Sequence, residues 1–221
     1  MNCKKTALIS DFDGTISKKD FFHMVIETFL SEKSLKPWHD YLQKKITHIE
    51  ALTGIFSQIH IPQEEMDKFI ATIEVDEYFY DTLEICKKLG VPVYLCSAGT
   101  KYYIEKRIGQ TLKDYNISLI SNDGVYSQKD GLRLIAPDKT NPFYNHNTGI
   151  SKELLVKKLK SEGYFTIYAG DGIPDFSSAK TADAVFAKDV LLELCRKEGI
   201  KTEKFDNFKD ISDYIGRLYD K

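Results

Sequence analysis

The sequence is poor in cysteine, and its few cysteines are not grouped. Cys3, Cys86, Cys96 and Cys195 are scattered over 221 residues, and no two of them form a Cys-x-x-Cys pair. Zinc sites and disulfide-rich scaffolds both depend on cysteines that recur at short, regular spacings. The pattern therefore favours free thiols in a reducing compartment over a zinc or disulfide framework.

The sequence also lacks an excess of positive charge. Its 31 lysines and arginines are balanced by 33 acidic residues, which leaves a net charge of −2. A protein without a broad cationic surface has no general attraction for nucleic acid or for an anionic membrane. An anionic ligand must therefore be attracted locally, by a metal ion or by a placed lysine.

Long apolar segments are absent as well. There is no N-terminal apolar region of the kind found in export signals, and no run of about 20 apolar residues that would span a bilayer. We therefore expect a cytoplasmic protein. Its composition, 42% hydrophobic and 29% charged, is that of a globular chain, and its length suits one domain or one domain with an insertion.

Short apolar runs alternate with amphipathic segments over most of the chain. The sequence predicts strands at 7–9, 91–96, 117–120, 165–169 and 184–187. It predicts helices near 82–89, 102–112, 152–160, 190–197 and 208–218, turns at 122–124 and 129–131, and an irregular segment at 137–149. This alternation predicts an α/β protein with a Rossmann-like, doubly wound parallel sheet.

The segment from residue 18 to residue 78 contains no strand signal. Its apolar residues recur at helical spacing, and Pro62 is a plausible start for a further helix at 65–73. We predict an all-helical cap at 18–78, inserted into a catalytic core formed by 1–17 and 79–221. The aromatic side chains of the cap are explained more simply as its own core than as a ligand site.

The first predicted strand ends in the acidic sequence Ser10-Asp11-Phe12-Asp13-Gly14-Thr15. Side chains alternate along a strand, so Asp11 and Asp13 should point the same way, and Gly14 permits a sharp turn after them. In an open parallel sheet, ligands bind at the carboxyl ends of the strands. Two carboxylates crowded at that edge need a cation or a proton nearby.

Other predicted strands bring more polar groups to the same edge. Ser97 follows the second strand, Asp171 and Asp175 follow the fourth, and Lys152 opens the helix before it. A carboxylate can attack phosphorus covalently, and Mg²⁺ favours a pair of carboxylates such as Asp11 and Asp171. Lysine and hydroxyl groups bind phosphoryl oxygens. The set predicts a magnesium-dependent enzyme that acts on a small phosphorylated metabolite.

Four segments, at 11–15 (DFDGT), 96–100 (CSAGT), 150–152 (ISK) and 170–175 (GDGIPD), resemble the four motifs of the haloacid dehalogenase-like phosphohydrolases. The helical insertion after the first motif is similar to the cap of the phosphoserine phosphatase-like branch. The resemblance implies a phosphatase that forms an aspartyl-phosphate, and the aspartate at position 13 implies hydrolysis of a phosphate monoester. A phosphotransferase or mutase of the same fold is the alternative.

The resemblance also implies residue roles. Asp11 would be the nucleophile, and Asp13 the general acid and later the base for water attack. The metal would be held by Asp11, by Asp171 and by the backbone carbonyl of Asp13. Asp175 would orient metal-bound waters or the catalytic lysine; the alternative is a carboxylate that only stabilises a helix N-terminus.

The same resemblance implies that Lys152 is catalytic and binds the phosphate together with Ser97, Ala98 and Gly99. Two of these residues have an alternative. Ser97 could be only a turn residue, and three other lysines compete with Lys152 for the catalytic role, namely Lys101, Lys139 and Lys157. The five histidines show no metal-ligand spacing and are interpreted as surface or packing residues.

Substrate specificity is expected in the cap, at Asp20, Phe21 and His23. The phosphoserine phosphatase branch has a glutamate where this chain has Asp20, and it has a cap arginine, whereas no arginine occurs from Asp20 to Tyr80. Lysine lacks the bidentate fork that arginine offers a carboxylate. Phosphoserine is therefore disfavoured. In Asp20, in its aromatic cap and in the segments 186–189 (FAKD) and 191–195 (LLELC), the chain more closely resembles the methionine-salvage branch, whose substrate is an enol-phosphate with a methylthio tail. A phosphoserine phosphatase or another small-metabolite phosphatase is the alternative.

Overall fold

The computed structural model describes residues 5–219. Its strands are β1 (Thr6–Ser10), β2 (Val93–Thr100), β3 (Ser118–Ser127), β4 (Gly131–Ile135), β5 (Tyr144–Asn145), β6 (Gly149–Ile150), β7 (Phe165–Gly170), β8 (Ala184–Ala187) and β9 (Glu203–Lys204). Seven of them form one sheet in the order β4-β3-β2-β1-β7-β8-β9, in which only β4 is antiparallel to its neighbour. The remaining two, β5 and β6, pair with each other. This mostly parallel sheet confirms the predicted α/β fold class.

Helices connect most of the strands along the chain. They are α1 (Phe21–Phe29), α2 (Lys36–Leu42), α3 (His48–Phe56), α4 (Gln63–Ala71), α5 (Glu77–Leu89), α6 (Lys101–Asp114), α7 (Lys152–Ser161), α8 (Phe176–Ala179), α9 (Asp189–Lys197) and α10 (Phe208–Tyr219). Short 3₁₀ turns occur at Glu32–Leu35 and Ile173–Asp175. Two predicted helix boundaries are confirmed: α5 ends at Gly90 in the left-handed conformation, and Ser151 caps the start of α7.

Strand β1 lies at the centre of the sheet and is buried along its whole length. It pairs with β2 on one side and with β7 on the other, and all three are parallel. Chain connections therefore diverge on the two sides of β1, which is the place where open α/β sheets form a ligand crevice. Asp11 and Asp13 follow the end of β1, and Asp171 follows the end of β7.

Helices α1 to α4 lie between β1 and α5 in the chain, where the cap is predicted. No strand separates them in the described residues, although Ser17 and Val75 form an isolated bridge. Buried cap-segment residues such as Val25 and Ile55 belong to the same apolar cluster as Leu8 of β1. The segment therefore shares an apolar core with the sheet. Its boundaries at 18 and 78 stay a prediction.

Two predictions about the second and third strands are wrong. Strand β2 continues to Thr100, so Ser97 lies inside the strand and not in a turn after it. Residues 122–124 lie inside β3, where Gly124 pairs with Leu134 of β4. The side chain of Asn122 is buried and donates hydrogen bonds to two backbone carbonyls, so tertiary contacts override the local turn signal. The predicted turn at 129–131 does connect β3 to β4.

Three of the cysteines, Cys86, Cys96 and Cys195, are buried free thiols, as predicted. Cys3 lies outside the described residues. Among the helices within residues 5–219, none has the length and apolar character needed to cross a membrane.

Candidate active site

Three carboxylates meet at the edge of the sheet. Oxygens of Asp11, Asp171 and Asp175 lie within 4.8 Å of one another, and Asp11 is buried. Asp11 and Asp171 reach this point from adjacent parallel strands, as predicted from the sequence. They border a cavity of about 470 Å³ that also contacts residues of α1, α2 and α3.

Lys152 links two of these carboxylates. Its Nζ lies 2.7 Å from Oδ2 of Asp11 and 2.6 Å from Oδ1 of Asp175, and its side chain is buried. Burial lowers the pKa of Lys152, but the two carboxylates outweigh this effect and raise the pKa above its ordinary value, so the lysine stays protonated. The competing lysines lie elsewhere: Lys101 pairs with Asp123, Lys157 pairs with Glu153, and Lys139 is exposed.

Asp175 is fully buried, and donors occupy both of its oxygens. Oδ1 accepts hydrogen bonds from Lys152 and from the Tyr168 hydroxyl, and Oδ2 accepts from the backbone N–H groups of Asp171 and Gly172. With two donors on each oxygen, this carboxylate has no lone pair left to bind a metal directly. This geometry supports the predicted role of orienting Lys152. The hydrogen bonds to Oδ2 also hold the loop that carries Asp171.

The loops after β1 and β7 approach each other closely. Thr15 donates a hydrogen bond of 2.8 Å from its Oγ1 to Oδ1 of Asp171. Gly14 has φ of +70°, and a Cβ at this position would lie 2.4 Å from Oδ2 of Asp171. Only glycine fits such a backbone conformation at this distance. Burial and repulsion from Asp175 raise the pKa of Asp171 to about 7.

Asp13 is partly exposed and accepts hydrogen bonds from Phe21, Tyr103 and Ser97. Its Oδ1 accepts from the backbone N–H of Phe21 at 3.2 Å, and its Oδ2 accepts from the hydroxyl of Tyr103 at 2.5 Å. Burial and the nearby charge of Asp20 raise the pKa of Asp13 to about 7. A carboxyl group with a pKa near neutrality can both give and take a proton at neutral pH.

The predicted phosphate-binding residues line the cavity beside Asp13. The hydroxyl of Ser97 lies 3.4 Å from Oδ2 of Asp13 and accepts a hydrogen bond from the Gly99 N–H. A Cβ at Gly99 would lie 1.8 Å from the hydroxyl of Tyr103, so glycine leaves the room that Tyr103 needs to reach Asp13. Ala98 also borders the cavity. Phosphate binding by Ser97, Ala98 and Gly99 stays a prediction.

The predicted specificity residues occupy different positions. Asp20 and His23 line the cavity, and Asp20 also caps α1 by accepting a hydrogen bond from the Phe22 N–H. The ring of Phe21 is buried and stacks on Tyr103, with ring centroids 4.1 Å apart. Phe21 is not among the described residues that line the cavity. Its predicted contribution to specificity therefore lacks a direct contact with the cavity.

The donor set fits a magnesium ion. Burial raises the pKa of Asp11 well above its ordinary value, even though Lys152 opposes the effect, and other carboxylates add repulsion. Several acidic oxygens around one point, with one buried lysine among them, leave surplus negative charge that a hard divalent cation would offset. Asp11 accepts one donor on each oxygen, from the Phe12 N–H and from Lys152, and Asp171 accepts the Thr15 hydroxyl on Oδ1. Both side chains therefore keep lone pairs that a metal ion could use.

Comparison with known proteins decides the family. No family model matches the chain. A polyol phosphate phosphatase from Saccharomyces cerevisiae is 31% identical over 224 residues, which cover 94% of this chain and 91% of the relative. The chain belongs to the haloacid dehalogenase-like phosphatases. It is therefore a phosphoric monoester hydrolase, as the four motifs predicted.

Other members of this phosphatase family are also similar. A 2-hydroxy-3-keto-5-methylthiopentenyl-1-phosphate phosphatase from Exiguobacterium sibiricum is 25% identical over 212 residues, covering 94% of this chain and 95% of that protein. A substrate-bound structure of phosphoserine phosphatase shares the fold, with a TM-score of 0.67 and 20% identity over 96% of this chain and 99% of that one.

Several residues of the phosphatase site could not be identified from the sequence. Tyr103 reaches Asp13 from α6, and Tyr168 reaches Asp175 from β7. Thr15 reaches Asp171 from the loop that follows β1. Only Thr15 carried a signal, because it ends the first motif. The two tyrosines lie in a predicted helix and a predicted strand. The sequence gives no signal for their roles, because no local pattern indicates which group a tyrosine hydroxyl contacts.

His48, at the start of α3, is buried in the wall of the cavity. Burial, aided by the charge of Lys152, lowers the pKa of His48 to about 4. The ring is therefore neutral at neutral pH in the folded protein.

The neutral state of His48 predicts a loss of stability in acid. Between pH 6.5, the ordinary pKa, and pH 4, the unfolded chain binds a proton that the folded chain does not, so stability falls as pH falls. We expect His48 to lower the free energy of unfolding by about 2 kcal/mol between pH 7 and pH 5. The variant His48→Gln should lack this contribution. Urea unfolding at both pH values measures it, with the exposed His39→Gln as control. Equal pH dependence in wild type and His48→Gln would contradict the prediction.

Proposed function

We propose that this phosphatase hydrolyses small phosphate monoesters through an aspartyl-phosphate on Asp11, with Mg²⁺ as its cofactor. The observation that carries the proposal is the cluster of carboxylate oxygens within 4.8 Å, with the protonated Lys152 bound to Asp11. A nucleophile, a cation and an adjacent acid are what transfer of a phosphoryl group to a carboxylate requires.

The chain's own residues account for both half-reactions. Oδ of Asp11 attacks phosphorus as the bond to the leaving oxygen breaks, and Lys152 draws charge from the phosphoryl oxygens. Protonated Asp13 gives its proton to the leaving alkoxide, and its carboxylate then takes a proton from the water that cleaves the aspartyl-phosphate. Magnesium, held by Asp11, Asp171 and the carbonyl of Asp13, would polarise the phosphoryl group.

Replacing Asp13 with asparagine removes this proton transfer. We expect kcat to fall by about 10²–10⁴-fold, the range of general acid–base catalysis, while magnesium binding is retained. Turnover is measured by phosphate release, and magnesium binding by calorimetry. A variant that turns over at the wild-type rate would remove Asp13 from the mechanism.

The cavity wall indicates the kind of leaving group. Its inner surface is formed largely by apolar and aromatic side chains: Phe22, Trp38, Tyr41, Leu52 and Phe56. Lys18 and Lys19 also border the cavity, but each is paired with a glutamate, Glu74 and Glu27 respectively. With no arginine between residues 20 and 80, the cavity offers a poor site for a carboxylate. We therefore propose an uncharged leaving group.

Two substrate candidates meet this condition. The methylthiopentenyl enol-phosphate of methionine salvage is the first, because an apolar, aromatic cavity suits a methylthio tail. A polyol phosphate is the second, and it is favoured by the 31% identity to the yeast polyol phosphate phosphatase. Phosphoserine, whose leaving group carries two charges, is expected to be a poor substrate.

Phosphate release across a substrate panel tests the proposal. The panel holds the methylthiopentenyl enol-phosphate, a polyol phosphate, phosphoserine and glucose 1-phosphate, each with magnesium and with excess chelator. We expect magnesium-dependent release, greatest in kcat/KM for one of the first two. Phosphoserine as the best substrate would overturn the assignment. Turnover that yields an isomeric phosphate in place of free phosphate would indicate a mutase.

A further inference from the structure

One polar side chain in the cavity wall has no protein partner for its buried nitrogen. The Nδ1 atom of His48 is enclosed and makes no hydrogen bond within the described residues. The ring nevertheless borders the cavity. With Nδ1 enclosed, we take the edge that carries Nε2 to be the edge that faces it. A buried polar group without a partner costs free energy, so a histidine kept at this place in the cavity wall indicates a function for its other nitrogen.

The ring of His48 is held in a fixed position. The first turn of α3 is capped by Thr47 and Glu50 in a capping box, and the His48 N–H donates a 2.9 Å hydrogen bond to Asn147. Tyr41 and Trp38 meet the imidazole edge-on, with ring centroids 5.3 and 6.1 Å away. A side chain fixed by packing and backbone contacts is preorganised to recognise a ligand atom.

The chemistry of the ring selects the ligand atom. A neutral imidazole carries one proton, and an enclosed N–H without an acceptor is less favourable than an enclosed lone pair. We therefore place the proton on Nε2, where it faces the cavity as a donor. Such a donor recognises a hydroxyl or carbonyl oxygen and offers nothing to an ammonium group.

We propose that Nε2 of His48 donates a hydrogen bond to an oxygen of the leaving alcohol and is a specificity-determining residue of this phosphatase. The inference rests on the proposed function and deepens it. Beside the aromatic rings of Trp38 and Tyr41, His48 makes the site prefer an uncharged leaving group that carries oxygen over a purely hydrocarbon one. The phosphoryl chemistry at Asp11 is unaffected by this choice.

A matched pair of substrates tests the inference: sorbitol 6-phosphate and hexyl phosphate. The two leaving groups have equal chain length, and sorbitol offers His48 an oxygen at every carbon whereas the hexyl chain offers none. The readout is the ratio of kcat/KM for the two substrates, compared between variants so that their intrinsic reactivities cancel. We expect His48→Leu to lower this ratio about 10-fold, the effect of one neutral hydrogen bond.

Two amide variants separate recognition from structure. The side-chain nitrogen of glutamine can occupy the place of Nε2, whereas that of asparagine falls near Nδ1. His48→Gln should therefore retain most of the ratio, and His48→Asn should lose it. Hydrolysis of hexyl phosphate, which needs no donor, reports that each variant is folded and active. The exposed His39→Leu, on α2, is the matched control and should keep the wild-type ratio.

The outcomes are distinguishable. Equal ratios in wild type, His48→Leu and His48→Asn, with hexyl phosphate still hydrolysed, would overturn the inference and leave the phosphatase mechanism intact. Absence of magnesium-dependent hydrolysis of every phosphate ester by the wild-type protein would overturn the proposed function and the inference together.

Discussion

Replacing Asp11 with asparagine should abolish turnover, with a fall in kcat of roughly 10⁴–10⁶-fold, the scale seen when a covalent nucleophile is removed. The amide has no negative charge and cannot form a stable acyl phosphate. It also loses the ion pair to Lys152, whose Nζ lies 2.7 Å from Oδ2 of Asp11. Phosphate release measures the loss, and acid-quenched enzyme with labelled substrate should show phosphoprotein only in the wild type.

The exposed Asp206→Asn is a matched control for the Asp11 variant. Asp206 lies near the C-terminal helix and pairs with Lys204 on the surface, away from the cavity-lining residues. Its activity should equal that of the wild type. An Asp11→Asn protein that still accumulates phosphoprotein would show that another group attacks phosphorus, and the mechanism would have to be assigned again.

The position of Asp11 could be predicted because the sequence signals that determine it lie next to it in the chain. A short apolar run followed by an acidic turn places the carboxylate at the end of a buried strand, and β1 is that strand. Asp171 follows from the same argument applied to β7. Parallel strands share an edge, so two predictions made separately along the chain converge on one point, where the oxygens do meet.

Other features of the site depend on packing that leaves no local pattern. Tyr103 contacts Asp13 because α6 begins directly after β2, the strand beside β1, and because Gly99 leaves room for the hydroxyl. His48 was interpreted as a surface or packing residue, since its enclosure depends on the neighbouring aromatic rings of α2. Strand β2 was predicted too short for a similar reason: Ser97 to Thr100 are small or polar, and the buried setting extends the strand.

Lys152 combines a position that the local sequence predicts with contacts that it does not. Ser151 as a helix cap predicted where α7 begins, but three other lysines were equally basic, and only the three-dimensional contacts distinguish them. Lys152 alone among these four bonds to Asp11 and Asp175. Because its charge holds two buried carboxylates together, Lys152 should matter for stability as well as for catalysis.

Replacing Lys152 with methionine tests both roles. The change leaves Asp11 and Asp175 buried without their shared cation, and removal of one partner from a buried ion pair costs about 3–5 kcal/mol. We expect that loss in the free energy of unfolding, measured with urea in the presence of a chelator. We also expect phosphate release to fall below detection, because the phosphoryl oxygens lose a positive charge.

Two comparisons separate the charge of Lys152 from its packing. Lys157→Met lies on the same helix but removes a partly exposed pair with Glu153, which should change stability by no more than about 1 kcal/mol. The double variant Lys152→Met/Asp175→Asn removes one uncompensated carboxylate and should recover part of the lost stability without restoring activity. If Lys152→Met unfolds at the same urea concentration as Lys157→Met, the buried network does not depend on this lysine.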